Sequence, residues 1–272
     1  MTTIRNAFLA GLACCQALSV AGMSAGANEF QPHRAVYELS LDRVEDGSGI
    51  SAVSGKMVYE FRGSACEGYT VDVRLITDIT ATNGASRLTD VRTTRFEAGD
   101  ASGFQFFTRA FQDQKLAQES RGVASREDEK LLVSVKKPAE KDLTFDGGIL
   151  FPSQHFIEII RQAQAGEQFY SVDVYDGSQE GDSYFESTAV IGKPREIAIP
   201  EAEPANISKK YWPIVISYYD PRKNRTDSTP VYTLSFLSNV LGIFRDMKMD
   251  YNSFVIDGKL SDLTIFPIQS CQ

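Results

Sequence analysis

The chain has 272 residues, of which 24% are charged and 42% are hydrophobic, as in an ordinary globular protein. Its 36 acidic side chains outnumber its 28 basic ones, so the formal net charge at pH 7 is −8. An acidic chain without a long basic cluster is a poor binder of nucleic acid or of anionic lipid head groups, because both attract proteins mainly through positive charge. We therefore expect no nucleic-acid partner.

The first 27 residues have the pattern of a secretory signal peptide. A single positive charge, Arg5, precedes an apolar stretch at residues 7–20, and Ala25-Gly26-Ala27 supplies the small residues that signal peptidase recognises. A membrane anchor is the alternative, but Gln16 and Ser19 interrupt the stretch, which is shorter than the roughly 20 apolar residues of a membrane span.

The predicted signal peptide determines the expected compartment. A lipoprotein signal is a further alternative, but the residues before Cys14 and Cys15 fit that pattern poorly. We expect cleavage after Ala27 and a mature protein, residues 28–272, that forms one domain in the bacterial periplasm, with full secretion less favoured. No later segment is long and apolar enough to span a bilayer, so we expect no integral membrane segment after cleavage.

Alternation of apolar and polar residues dominates the mature chain and predicts β-strands. β-branched and aromatic residues fill the alternating segments, and Gly, Asn, Asp and Ser separate them. The clearest segments are residues 36–41, 69–79, 104–111, 131–135, 212–219, 231–237, 244–251 and 259–268. Short connections favour antiparallel pairing of about a dozen strands in an all-β fold.

One segment, residues 151–166, departs from this alternation and predicts an α-helix. Pro152 suits the first turn of a helix and Gly166 suits its C-terminal cap. The apolar residues recur at helical spacing on one face, at Phe156, Ile159, Ile160 and Ala163. We expect this helix to pack against the sheet as part of the core, with a role in gating a ligand less favoured.

Two cysteines, Cys66 and Cys271, lie in the mature chain, near its two ends. In an oxidising compartment such a pair favours one disulfide bond that ties an early strand to the last residues. Two unpaired buried thiols, or a catalytic thiol, are the alternatives. Neither cysteine belongs to a CxxC motif or has a histidine close to it in sequence.

The chain has two histidines, His33 and His155, and this small number limits the metal sites and catalytic triads that it could form. A zinc site with several histidine ligands is excluded, and paired cysteines would provide no thiolate ligands. A Ser-His-Asp triad would need one of the two, and no G-x-S-x-G motif accompanies them. We interpret both as surface or capping residues, with a buried hydrogen-bonding role less favoured and catalysis least, and we expect no metal and no cofactor.

The acidic segment Asp173–Asp182 partly resembles a calcium-binding loop. With Asp176 as position 1, the required glutamate at position 12 is replaced by Ser187. Alternating segments flank the acidic residues on both sides. A tight β-hairpin is therefore favoured over a metal site.

Several segments, in the same order along nearly the whole mature chain, resemble the EipB-like family of periplasmic cell-envelope integrity proteins. The resemblance rests on His33–Leu39, Cys66–Thr70, Tyr175–Asp182, Thr188–Gly192, Trp212–Tyr218, Pro230–Tyr232, Asp250–Tyr251 and the final Cys271. Asn252 departs from the family pattern, in which a glycine is expected.

The resemblance implies a β-spiral, which is a large, open, barrel-like antiparallel sheet with one α-helix packed against it, closed by a Cys66–Cys271 disulfide. It also implies a role in envelope integrity and stress resistance. The family has no established reaction, so no catalytic residue is transferred to this chain.

Two functions follow as hypotheses. The first is a non-catalytic protein that binds another periplasmic protein or an envelope polymer. The second is a carrier that holds a lipid or a lipoprotein acyl chain on the concave face of the sheet. An enzyme is disfavoured. The carrier hypothesis is motivated by aromatic residues that would otherwise fill the core, namely Phe104, Phe106, Phe107, Phe111, Phe169 and Tyr170.

Overall fold

A computed structural model describes residues 30–200, 203, 207–223 and 229–268. The predicted signal peptide and Cys271 lie outside the described residues. Within the described part of the chain, no helix is long and apolar enough to cross a membrane.

The described residues form fifteen β-strands and one α-helix, α1 (Pro152–Ala165), with a short 3₁₀ turn at Gln179–Gly181. The strands in the first half are β1 (His33–Val44), β2 (Ile50–Ser64), β3 (Gly68–Ala81), β4 (Ser86–Glu97), β5 (Gly103–Gln112), β6 (Lys115–Glu127), β7 (Lys130–Lys137) and β8 (Lys141–Asp146). Those after the helix are β9 (Phe169–Val174), β10 (Phe185–Ile191), β11 (Arg195–Glu196), β12 (Lys210–Tyr219), β13 (Tyr232–Ser238), β14 (Phe244–Asp250) and β15 (Phe254–Ile265).

The strands form one antiparallel sheet in the order β8-β7-β6-β5-β4-β3-β2-β1-β15-β14-β13-β12-β10-β9, and the short β11 pairs with β12. Strand β1 lies in the middle, paired with β2 on one side and with β15 on the other. Buried Ala35, Tyr37 and Leu39 alternate with more exposed residues along β1, as a sheet with one buried face requires. The all-β prediction is confirmed.

The sheet is not closed into a barrel, because its edge strands β8 and β9 do not pair with each other within the described residues. The two edges nevertheless come close to each other. Leu150, just after β8, bridges Val174 at the end of β9 in parallel. The Leu150 amide donates to the Asp173 carbonyl at 2.8 Å, and the Tyr175 amide donates to the Leu150 carbonyl at 2.9 Å. The predicted open, barrel-like spiral is confirmed.

Helix α1 begins and ends as the sequence predicts. Phe151 is the residue before its first turn, and Gly166 ends it in the left-handed conformation with φ 85°. The predicted apolar face, at Ile159, Ile160 and Ala163, is buried in the main core. The Phe156 ring on the same face lies 5.3 Å from the Phe244 ring, so the helix packs against the concave side of the sheet.

Strands β9 and β10 form the predicted hairpin, but the segment between them, residues 175–184, is a long loop that folds into the spiral and not a tight turn. The Tyr175 hydroxyl donates to the Gly181 carbonyl at 2.8 Å, and the Ser120 hydroxyl donates to the Gly177 carbonyl at 2.9 Å. A Cβ atom at Gly177 would lie 2.3 Å from the Phe106 ring, and its φ is +71°. Glycine is required there by both space and backbone conformation.

Candidate ligand-binding cavity

Two cavities, of about 370 and 230 Å³, lie beside the first turn of α1 on the concave side of the sheet. Both are lined by Arg95, Pro152, Phe156 and Tyr232, so they adjoin each other. Their volumes are in or near the range of small-molecule sites, which are about 300–1,000 Å³. We call the larger one the tyrosine lobe and the smaller one the methionine lobe.

The methionine lobe is mostly apolar, although Arg95 and Glu97 also lie in its wall. Met57, Tyr59 and Phe61 alternate along β2, and Met247 and Met249 alternate along β14, so each set points to the concave side. Methionine side chains are flexible and adapt to ligands of irregular shape. This lobe can therefore accommodate a hydrocarbon group.

The tyrosine lobe combines aromatic rings with hydroxyl groups. The Tyr218 and Tyr232 rings stack with centroids 5.9 Å apart, and Tyr251 lies 5.2 Å from Tyr232. Burial raises the pKa of both Tyr218 and Tyr232 above its usual value, so these phenols stay protonated. Both side chains nevertheless keep part of their accessible surface, because they face the cavity.

Arg95, on β4, is the cationic residue in the wall of both lobes. Its Nη2 lies 3.3 Å from Oδ2 of Asp176, and the two side chains are 23% and 24% exposed. Its Nε is buried and has no hydrogen-bond partner among the described residues. A charge-assisted hydrogen bond is ordinarily about 2.7–2.9 Å long, so Asp176 satisfies this guanidinium incompletely.

Glu97, two residues further along β4, caps the helix. Its carboxylate accepts hydrogen bonds from the backbone amides of Ser153 and Gln154, each at 2.8 Å, and only 1% of the residue is exposed. Phe151 cannot cap the helix with its own side chain, so Glu97 satisfies donors that a helix start leaves unpaired. Burial raises the pKa of Glu97, while these two hydrogen bonds oppose the shift.

His155 is 1% exposed and forms a hydrogen bond between its Nε2 and Ser187 Oγ, at 3.0 Å. The Ser187 hydroxyl donates to the Val172 carbonyl at 2.8 Å, so the histidine donates to the serine. A base that activates a serine must instead accept its proton. Burial lowers the pKa of His155 to about 4, which keeps the ring neutral at pH 7.

His33 is fully buried, and its Nδ1 lies 2.7 Å from the Gln31 carbonyl oxygen. Burial lowers its pKa as well, against the opposing effect of that hydrogen bond. The interpretation of both histidines as surface or capping residues is therefore wrong. His33 occupies an inward position of β1, and His155 lies on the side of α1 that packs against β10.

Two acidic side chains of the segment between β9 and β10, Asp176 and Asp182, contact cations of the protein. Asp176 pairs with Arg95 and also accepts a hydrogen bond from the Ser178 amide at 2.9 Å. Asp182 lies 2.7 Å from Lys141 Nζ. Among the described residues, no group of three or more His, Cys, Asp or Glu side chains could hold a metal ion.

None of the six aromatic residues that motivated the carrier hypothesis lines either lobe. Phe104 and Phe106 are buried in a second, smaller core cluster, where Phe104 stacks on Phe151 at 4.9 Å. Phe107 and Phe111 lie beside the guanidinium groups of Arg109 and Arg92. Phe169 is 68% exposed, and Tyr170 packs against the main core. The alternation of Met57, Tyr59 and Phe61 along β2 indicates an inward face, but alternation alone does not show that this face leaves a cavity.

Cys66 is exposed in the turn between β2 and β3. The final described residues approach this turn: the Phe266 ring lies 3.8 Å from the Arg62 guanidinium, and Pro267 shares a surface groove with Gly63 and Glu67. Because Cys271 is outside the described residues, its pairing with Cys66 stays a prediction.

Comparison with known proteins identifies a family and agrees with the fold. The model of the EipB-like family matches residues 24–267. The cell envelope integrity protein EipB of Brucella abortus is 41% identical over 250 residues, covering 90% of this chain and 88% of that protein. A crystal structure of a beta-barrel-like protein of a domain of unknown function, also from Brucella abortus, is 40% identical, with a TM-score of 0.83 over 88% of this chain and 99% of the other. The chain belongs to the EipB-like family.

Proposed function

We propose that this protein supports the integrity and stress resistance of the bacterial cell envelope without catalysis, by binding another periplasmic protein or an envelope polymer. The observation that carries the proposal is its 41% identity, along nearly the whole chain, to a protein named for cell envelope integrity. The buried hydrogen bonds of His33 and His155 support the non-catalytic mode, because His155 donates to Ser187 and so cannot accept its proton.

The proposed location is the periplasm, with residues 1–27 removed and residues 28–272 forming one domain. The Ala25-Gly26-Ala27 sequence and the envelope role of the relative support it. The proposed Cys66–Cys271 disulfide fits the same compartment. It is supported by the approach of Pro267 to the turn that carries Cys66.

Deletion of the gene in its host should lower resistance to detergent and to β-lactams. Expression of the full chain should restore growth, and so should the His155→Gln variant if the protein works without catalysis. A chain without residues 1–27 should not restore growth, because it would stay in the cytoplasm. Unchanged resistance after deletion would contradict the envelope role, and rescue by the leaderless chain would contradict the periplasmic location.

A second function, that of a carrier for a lipid or a lipoprotein acyl chain, is favoured by the two adjoining lobes. An apolar cavity next to a few polar groups is the usual form of a small-molecule site. Phe104 and Phe106 fill the core elsewhere, so the carrier hypothesis now rests on the residues of the methionine and tyrosine lobes.

Native mass spectrometry of the protein purified from its host should show an additional lipid mass that disappears on denaturation. Val73→Phe enlarges a side chain in the wall of the methionine lobe and should reduce the bound fraction. Val190→Phe, at an exposed position on β10, serves as the control and should leave it unchanged. An unliganded mass for the parent protein would contradict the carrier function.

A further inference from the structure

The Arg95 side chain lies in the wall of both lobes, at their junction. Its Nε and Nη2 form the edge with which arginine binds both oxygens of a carboxylate or phosphate. Asp176 occupies this edge through Nη2 alone, at 3.3 Å, and Nε has no partner among the described residues. A buried guanidinium N–H without an acceptor is costly, so this edge is suited to a better acceptor than Asp176 provides.

Resting on the carrier function proposed above, we propose that the cavity binds an anionic, single-chain amphiphile. Its carboxylate or phosphate group contacts Arg95, and its hydrocarbon chain enters the methionine lobe between Met57 and Met247. Asp176 then acts as an internal competitor, which occupies Arg95 while the cavity has no anionic ligand.

The other acidic group near Arg95 does not compete in the same way. The Glu97 carboxylate is directed to the amides of Ser153 and Gln154 and is bonded to both. Asp176 keeps a second hydrogen bond, from the Ser178 amide, which can hold its side chain when the ligand replaces it at Arg95. The hydroxyl groups of the tyrosine lobe stay protonated and can donate hydrogen bonds to the anionic group without repelling it.

The chemistry of the head group can be tested with dodecanoate, dodecyl phosphate and dodecanol, which share one hydrocarbon chain. Calorimetric titration below their critical micelle concentrations should give at least one of the anions an affinity about tenfold or more above that of dodecanol, as expected for a charge-assisted pair. Comparison of the two anions distinguishes a fatty-acid carboxylate from a phosphate head group.

Arg95→Gln should remove this preference and leave the affinity for dodecanol unchanged. Because that substitution leaves Asp176 without its cation, the double variant Arg95→Gln/Asp176→Asn provides a neutral pair with the same expected result. Asp176→Asn alone should strengthen anion binding, since it removes the competitor. Arg92→Gln, on the same strand but exposed and paired with Asp90 on the outer face, is the matched control and should behave as the parent.

The outcomes separate this proposal from the function on which it rests. Equal affinity of the parent protein for dodecanol and both anions would overturn the role of Arg95 while leaving a carrier intact. Binding of none of the three would overturn both. A persistent anion preference in the folded double variant, verified by circular dichroism, would also overturn the role of Arg95.

Discussion

Replacement of Cys66 by serine should lower the melting temperature of the mature protein by roughly 5–15 °C under oxidising conditions. The proposed disulfide joins a turn near the start of the mature chain to its C-terminal residues. It would restrict the unfolded chain by closing a very long loop, which corresponds to about 5 kcal/mol as an upper figure. Thermal unfolding followed by circular dichroism measures the effect.

The control samples for this experiment also lack the proposed disulfide bond. Cys271→Ser and the double variant should melt at the temperature of Cys66→Ser, because each removes the same disulfide. The reduced parent protein should approach that temperature as well. Equal melting of the oxidised parent and Cys66→Ser would contradict a stabilising Cys66–Cys271 bond.

The second large effect is expected from His155 at acid pH. In the folded protein the pKa of His155 is about 4, whereas an unfolded chain has the ordinary histidine value of about 6.5. Between these values the unfolded state binds more protons, so stability falls as the pH falls. The full difference amounts to about 3 kcal/mol; most of it is lost by pH 4, and the rest below that pH, where both states bind the proton.

Urea unfolding at pH 7, 5.5 and 4 should show this loss in the parent protein. His155→Gln removes the titrating group and keeps a side chain that can donate to Ser187. The free energy of unfolding of each protein at pH 7 is its own reference. From pH 7 to pH 4, His155→Gln should lose less stability than the parent. His33 and the carboxyl groups are common to both proteins, so the difference isolates His155. Parallel pH profiles would contradict the buried, neutral state of His155.

The sequence predicts the β class, many of the strands and the helix of this protein, because these depend on local periodicity. Strands β2, β4, β6 and β8 lie outside the clearest alternating segments. Alternation along β1 and the apolar face of α1 are visible without knowledge of the rest of the fold. The bounds of the helix follow from Pro152 and Gly166, whose backbone preferences are also local.

The cavity could not be predicted, because it depends on contacts between distant residues. Arg95 and Asp176 are 81 positions apart, and Glu97 caps a helix that begins more than fifty residues later. Whether inward rings meet or leave a gap depends on the curvature and register of the whole sheet. In the sequence, the aromatic run at Phe104–Phe111 is more conspicuous than Tyr59 and Tyr232. Its side chains nevertheless pack in the second core cluster or lie on other parts of the sheet.

The position of β1 between β2 and β15 has a consequence for how the chain matures. Synthesis proceeds from the N-terminus, so β1 emerges early, whereas its partner β15 emerges after every other strand. Until then, the edge that β1 presents to β15 has unpaired backbone groups that can join another chain. Such distant pairing also slows folding, because the loop must close before the contacts form. The fold therefore leaves an aggregation-prone edge on β1 until the last strand pairs with it.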